Sequence, residues 1–261
     1  MSIAPKLQAD WFNGTAAQYM LAKEQALYDQ AVCDLFGFNA VQMGCLHVDL
    51  LRNSRIPNRF HAAESLTPMV VETACAPHLS CCDDFLPFAD TSVDLLLLPH
   101  RLEFSERPHQ TLREAARVMV PEGHLLISGF NPFSAWGVTA KLNKWLSKNN
   151  TYPWNGEFIG LARLKDWLAL LGFEVVSVQK CCNVPPFEQT DWRKRCTFMD
   201  KMGERLVPSL GGIYFIVAKK RVVGMMPLKP IWKTSLLKST LVVKRPKSNT
   251  SQSKPTQKNF K

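Results

Sequence analysis

The chain has 261 residues, 46% of them hydrophobic, and a formal net charge of +10. That length suits one large α/β core. Met1 to Asp10 holds Lys6 but no apolar run of the secretory kind, and Leu206 to Ala218 is interrupted by Pro208, Ser209, Gly211 and Gly212. Secretion and a membrane span are therefore not expected, and the cytoplasm is the expected location.

The charge belongs to one end of the chain. Lys219 to Lys261 carries 12 Lys/Arg and no Asp or Glu, which leaves 20 basic against 22 acidic residues before it. A nucleic-acid-binding body is thus not indicated. Residues 222–261 are expected to form a basic tail, disordered over Arg245 to Lys261, where Lys, Ser, Thr, Gln and Pro dominate. Weak contact with nucleic acid or an anionic surface is the sharper reading of that tail. The 8 cysteines stand singly or as the adjacent pairs Cys81-Cys82 and Cys181-Cys182, without a Cys-x-x-Cys. Reduced thiols are expected, with no metal site.

In chain order, Ala16, Tyr19, Met20, Leu27, Ala31 and Leu35 recur at helical spacing and predict a helix over Thr15 to Phe36, stopped by Gly37. This helix and what precedes it, residues 1–37, form an expected N-terminal cap. Asn39 to Met43 reads as a strand ending at Gly44, followed by a helix through Leu50-Leu51 that stops before Pro57. Strand, glycine turn and helix open a βαβ unit. Phe60 to Ala63 is the expected second strand, while Met69 to Thr73 and His78 to Cys82 compete for the third. Val93 to Leu98 is a near-continuous apolar run stopped by Pro99, as in a strand buried on both faces of a parallel sheet.

Pro108 suits a first helical turn, and Leu112, Ala115, Ala116 and Met119 follow at i, i+3, i+4 and i+7 before Pro121-Glu122-Gly123. His124 to Phe130 is a strand opening onto Asn131-Pro132-Phe133. Leu164, Trp167, Leu168 and Leu171 repeat the helical pattern, with Gly172 after them. Strands are expected over Phe173 to Val178 and Ile213 to Val217. The alternation predicts a three-layer α/β sandwich over 38–221, with inserted helical segments at 133–158 and 181–210.

Two long blocks carry a resemblance. Asp83 to Asp94 reads Asp-Asp-Phe-Leu-Pro-Phe-Ala-Asp-Thr-Ser-Val-Asp, and Leu112 to Leu125 contains Glu114-x-x-Arg117-Val118 and Pro121-Glu122-Gly123. In type and order they resemble the passages around the fourth strand of class I S-adenosylmethionine (SAM) dependent methyltransferases, of the type 11 kind, and look closest to a small bacterial subgroup. The resemblance covers about Asn39 to Arg221. It implies a Rossmann-like sheet of order 3-2-1-4-5-7-6 with the seventh strand antiparallel. It also implies SAM lying across the strand ends, where loops of an open α/β sheet diverge, and methyl transfer to a small-molecule acceptor.

The resemblance places the first cofactor contacts at Gly44 and Cys45. There the family's D/E-x-G-x-G-x-G is replaced by Gln42-Met43-Gly44-Cys45-Leu46-His47-Val48, which keeps only the first glycine. The ribose carboxylate is assigned to Glu64, 20 residues after Gly44, with an ordinary strand-end carboxylate as the alternative; Glu72 would require an insertion. Asp83 or Asp84, with Phe85, is expected at the adenine, against loop capping as the plain alternative. Pro99 and Tyr19 complete the expected cofactor set. His100 is the candidate base, against a structural histidine. Asn131, Phe133 and Trp136 are candidates for the acceptor side, against core packing. Because the loop is glycine-poor, a noncatalytic binding or regulatory module on the same fold is the rival reading.

Overall fold

A computed structural model describes residues 14–63, 79–82, 84–146, 156–182 and 211–221. Its elements are α1 (Thr15–Val32), β1 (Asn39–Met43), β2 (Asn58–Ala63), β3 (Leu79–Ser80), β4 (Val93–Pro99), α2 (Pro108–Val118), β5 (Met119–Phe130), α3 (Ala135–Leu146), α4 (Leu161–Leu170), β6 (Phe173–Cys181) and β7 (Ile213–Lys220). The strands form one 7-stranded sheet of order β3-β2-β1-β4-β5-β7-β6. β1 through β5 pair in parallel, and β7 runs antiparallel to both β5 and β6. Fold class, strand order and the antiparallel last strand are as the resemblance implied; β3 falls within His78 to Cys82, and Met69 to Thr73 lies outside the described residues.

The sheet is buried on both faces, which explains the unbroken Leu95-Leu96-Leu97-Leu98 of β4. Leu96 and Leu98 join Leu112, Ala115, Val118, Leu164 and Leu168 on one face, whereas Leu95 and Leu97 meet Tyr28, Val32, Leu50, Leu51, Ile56 and Phe215 on the other. The N-terminal helix therefore belongs to the same core as the sheet. Full burial of such side chains stabilises by roughly 1.5–3 kcal/mol each.

Three local expectations are corrected. The helix predicted through Leu50-Leu51 does not form: residues 44–57 cross from β1 to β2 in turns alone. Leu50, Leu51 and Ile56 still bury themselves against the sheet, so the apolar signal was real but its period was misread. α1 ends at Val32 rather than Phe36, and Gly37 serves a different purpose from capping. A Cβ there would lie 2.4 Å from Asp94 Cβ, where the Asp94 carboxylate accepts from the Phe38 and Asn39 amides at 2.8 and 2.9 Å. Last, α2 stops at Val118 and Met119 already begins β5, because the Met119 backbone turns extended (φ −76°, ψ 141°).

The two family-like blocks meet in a single clamp. The Arg117 guanidinium donates to the Leu86 and Phe88 carbonyls, both at 3.1 Å, to Asp90 at 2.5 Å and to Glu114 at 2.9 Å. These partners hold it firmly protonated, raised above the usual arginine range by Glu114 first and Asp90 second. The Leu-Pro-Phe-x-Asp segment is thus tied to α2 by planar, multidentate bonding suited to arginine.

Candidate cofactor crevice and active site

The crevice lies at the C-terminal ends of β1 and β4, the point where the chain order of the sheet reverses. Gly44 leaves β1 with φ +82° and its amide donates to the Ala62 carbonyl at 3.1 Å. A Cβ on Gly44 would have Arg101 Cδ at 3.5 Å and the Pro99 carbonyl at 3.8 Å as its nearest neighbours. The glycine therefore presents bare backbone beside the end of β4, within ordinary contact of the Arg101 side chain. Cys45 follows with φ +51°, an uncommon conformation for a residue bearing a Cβ.

Gln42 organises this loop from beneath. Its buried amide nitrogen donates to the Val48 carbonyl at 2.9 Å and to those of Gly44 and Cys45, both at 3.3 Å, while its oxygen accepts from the Leu50 amide at 3.0 Å. This position carries Asp or Glu in the pattern the sequence resembles. A carboxylate has no hydrogen to give three carbonyls, so the amide and the helix-free loop belong together.

A buried polar cluster closes the other side. His100 follows β4 with φ +49°, its amide donating to the Ser128 carbonyl at 3.0 Å. Its Nδ1 lies 3.1 Å from Glu103 Oε2 and its Nε2 lies 3.4 Å from Glu24 Oε2. Ser128 Oγ donates to Glu24 Oε1 and lies 3.1 Å from the Tyr28 hydroxyl, while the Phe130 amide donates to Glu103 Oε1. The Phe130 ring sits 4.3 Å from the imidazole. Burial by itself would lower the His100 pKa, but Glu24 and Glu103 outweigh it and push the imidazole up to about 10. Burial raises the Glu103 carboxyl in turn, with Glu24 adding to the rise. Held between two glutamates, with Nδ1 bonded to Glu103, the raised imidazole orients its surroundings, which is the structural alternative to a base.

The predicted site residues fall into separate groups. Gly44, Cys45, Pro99 and His100 meet at the β1/β4 ends. Tyr19 lies half-buried on α1 with Lys23 Nζ 5.8 Å from its ring centre. Asp84 faces Arg107 at 3.5 Å, and Phe85 is mostly exposed with Arg117 5.8 Å from its ring. Asn131 is committed to the fold: its side chain donates to the Gly211 carbonyl at 3.0 Å and accepts from the Phe133 amide at 3.1 Å. Trp136 is buried and stacked on Phe130 at 5.5 Å, and a Cβ on Gly212 would lie 2.5 Å from it. Phe133 points to solvent. Glu64, Glu72 and Asp83 lie outside the described residues, as does the basic tail. Among the described residues no group of acidic, His and Cys side chains suits a metal.

Glu24 and Glu103 were missed from sequence. For Glu24 a signal existed: Ala17, Met20, Leu21, Tyr28 and Val32 form the buried stripe of α1, and Glu24 interrupts it. A carboxyl inside an apolar stripe needs a buried partner.

A family model described as a methyltransferase domain matches residues 51–127. Over that stretch the chain is similar to a methyltransferase domain. The match begins beyond the Gly44 loop and ends in β5, so it rests on the clamp and central strands. The uncharacterized protein YafS of Escherichia coli (strain K12) is 43% identical over 140 residues, 54% of this chain and 53% of that one. The chain thus spans about half the length of that relative. Among solved structures, a putative methyltransferase complexed with the Haloferax volcanii Trm112 methyltransferase activator aligns over 85% of this chain and 100% of its own, at TM-score 0.58 and 19% identity. A SAM-dependent methyltransferase from Thermotoga maritima, described as a possible histamine N-methyltransferase, aligns over 76% and 89%, at TM-score 0.56 and 20% identity. At these identities the structural likeness is one of fold.

Proposed function

We infer that the protein is a SAM-dependent methyltransferase acting on a small-molecule acceptor in the cytoplasm. The observation that carries this reading is Gly44: bare backbone at φ +82° beside Pro99, with ordinary clearance around a hypothetical Cβ, at the switch point of a methyltransferase sheet. SAM supplies an activated methyl group, so the protein's share is alignment and exclusion of water. Gly44 and Cys45 would line the donor through their backbone, and Glu64 would take the ribose hydroxyls. Asp83 or Asp84 with Phe85 would meet the adenine, and Tyr19 would close over from α1. His100, held by Glu24 and Glu103, would position groups at the β4 end rather than abstract a proton. Phe133 is the acceptor-side candidate that remains exposed, since Asn131 and Trp136 already serve packing and strand-end bonding.

A second reading, a noncatalytic binding or regulatory module, is favoured by one feature. Residues 44–57 form no helix after β1, so the helix N-terminus that commonly helps hold a ligand there is missing. Titration calorimetry with SAM and S-adenosylhomocysteine separates the two. Micromolar binding that weakens in Glu64→Ala supports the enzyme and the register; absence of heat at about 1 mM ligand leaves the module reading.

A further inference from the structure

α3 turns an apolar face outward. Trp136, Gly137 and Ala140 pack inward, whereas Val138, Leu142 and Trp145 are 62%, 49% and 81% exposed at i, i+4 and i+7. Phe133, just before the helix, is 74% exposed. Lys141 lies within the same outward stripe and is exposed. From Asn131 to Gly156 the sequence has Lys141, Lys144 and Lys148 and no Asp or Glu, although the chain before the tail is slightly acidic.

An aliphatic and aromatic stripe threaded with lysine fits one kind of partner better than another. Cores of protein–protein interfaces are depleted of lysine. A helix lying in a lipid interface instead combines Trp and Leu with lysines whose stems run along the apolar face and whose ammonium groups reach the headgroups. No helix among the described residues is long and apolar enough to cross a membrane. We propose that α3 docks the protein on an anionic lipid surface, with Val138, Leu142 and Trp145 entering the boundary between headgroups and acyl chains and Lys141 meeting lipid phosphates. The face stands outside the Gly44 loop and the His100 cluster, so the docking holds whether or not SAM binds.

The test is co-sedimentation of the full chain with phosphatidylcholine vesicles containing about one third phosphatidylglycerol, against vesicles of phosphatidylcholine alone. Three proteins are compared: wild type, the triple variant Val138→Ser/Leu142→Ser/Trp145→Ser, and a chain lacking 245–261, which removes the end of the competing basic tail. The altered side chains are exposed, and an unchanged urea midpoint verifies the fold of the triple variant. Wild type should sediment with anionic vesicles, the triple variant should lose at least ~tenfold in partitioning, and the shortened chain should retain most of it. Trp145 fluorescence should shift to the blue on vesicle addition, a change lost in Trp145→Phe. Equal partitioning of wild type and triple variant overturns the proposal, as does complete loss on removing 245–261. A wild-type dimer that the triple variant dissociates, without vesicle binding, also overturns it and assigns the face to a second copy of the chain.

Discussion

Glu24 on α1 and His100 after β4, 76 positions apart in the chain, face each other with Oε2 and Nε2 3.4 Å apart. The contact fastens the N-terminal helix to the crevice end of the sheet. Deprotonating the imidazole leaves two buried carboxyl groups, Glu24 and Glu103, without a cation between them. Because the folded pKa is raised from 6.5 to about 10, the stabilisation is complete below pH ~6.5 and is lost as pH rises through about 10. Urea midpoints should therefore fall between pH 7 and pH 10, with a loss of about 2–3 kcal/mol. In His100→Gln that pH-dependent component should be absent. An identical pH slope in the variant would show that other groups cause it.

Gln42→Glu restores the carboxylate of the family pattern, and it should damage the protein. The new side chain would face the Gly44, Cys45 and Val48 carbonyls with no hydrogen to donate. The expected cost is about 3 kcal/mol, as for a buried set of polar groups losing its partner. Thermal unfolding of Gln42→Glu beside Gln42→Leu checks it: both should be destabilised, the glutamate at neutral pH at least as strongly.

Gly37→Ala should destabilise by about 2 kcal/mol or more, since its Cβ would fall 2.4 Å from Asp94 Cβ and push the carboxylate off the two amides. Asp94→Asn should cost about 1–2 kcal/mol by weakening the charge-assisted bonds to the Phe38 and Asn39 amides. The double variant should cost less than the sum, because both changes strike one contact. Chemical denaturation of the three proteins measures the coupling.

Arg117→Lys should lose about 2 kcal/mol, because one ammonium cannot reproduce the forked contacts to Leu86, Phe88, Asp90 and Glu114. In folded protein, any SAM affinity should change little, since the clamp meets the proposed cofactor contacts only at the Phe85 ring, 5.8 Å away. Calorimetry at low temperature, below the variant's unfolding, makes that comparison. A large fall in affinity would move the clamp from scaffold to site.

The blocks most legible in sequence prove to be those most concerned with structure. Leu86 to Asp90 and Glu114 to Arg117 could be matched to a fold because their spacing is fixed by one guanidinium, a local constraint that leaves a local pattern. The Gly44 loop carried a weaker pattern, and its missing helix was misjudged because Leu50, Leu51 and Ile56 bury equally well from turns. Glu103 gave no signal, since its partners His100 and Phe130 become neighbours only through the turn after β4 and its pairing with β5.

By itself the sequence determined the strands and most helices, and its resemblance to methyltransferases implied their order and the place of the crevice. Apolar runs, helical spacing and glycine or proline stops act over a few residues and can be read along the chain. Tertiary structure alone decided what occupies the crevice wall: which carboxyls meet His100, which carbonyls Gln42 feeds, and that Trp136 turns inward while Trp145 turns out. Those outcomes depend on desolvation and on partners brought together from distant segments, and no spacing in the chain encodes them.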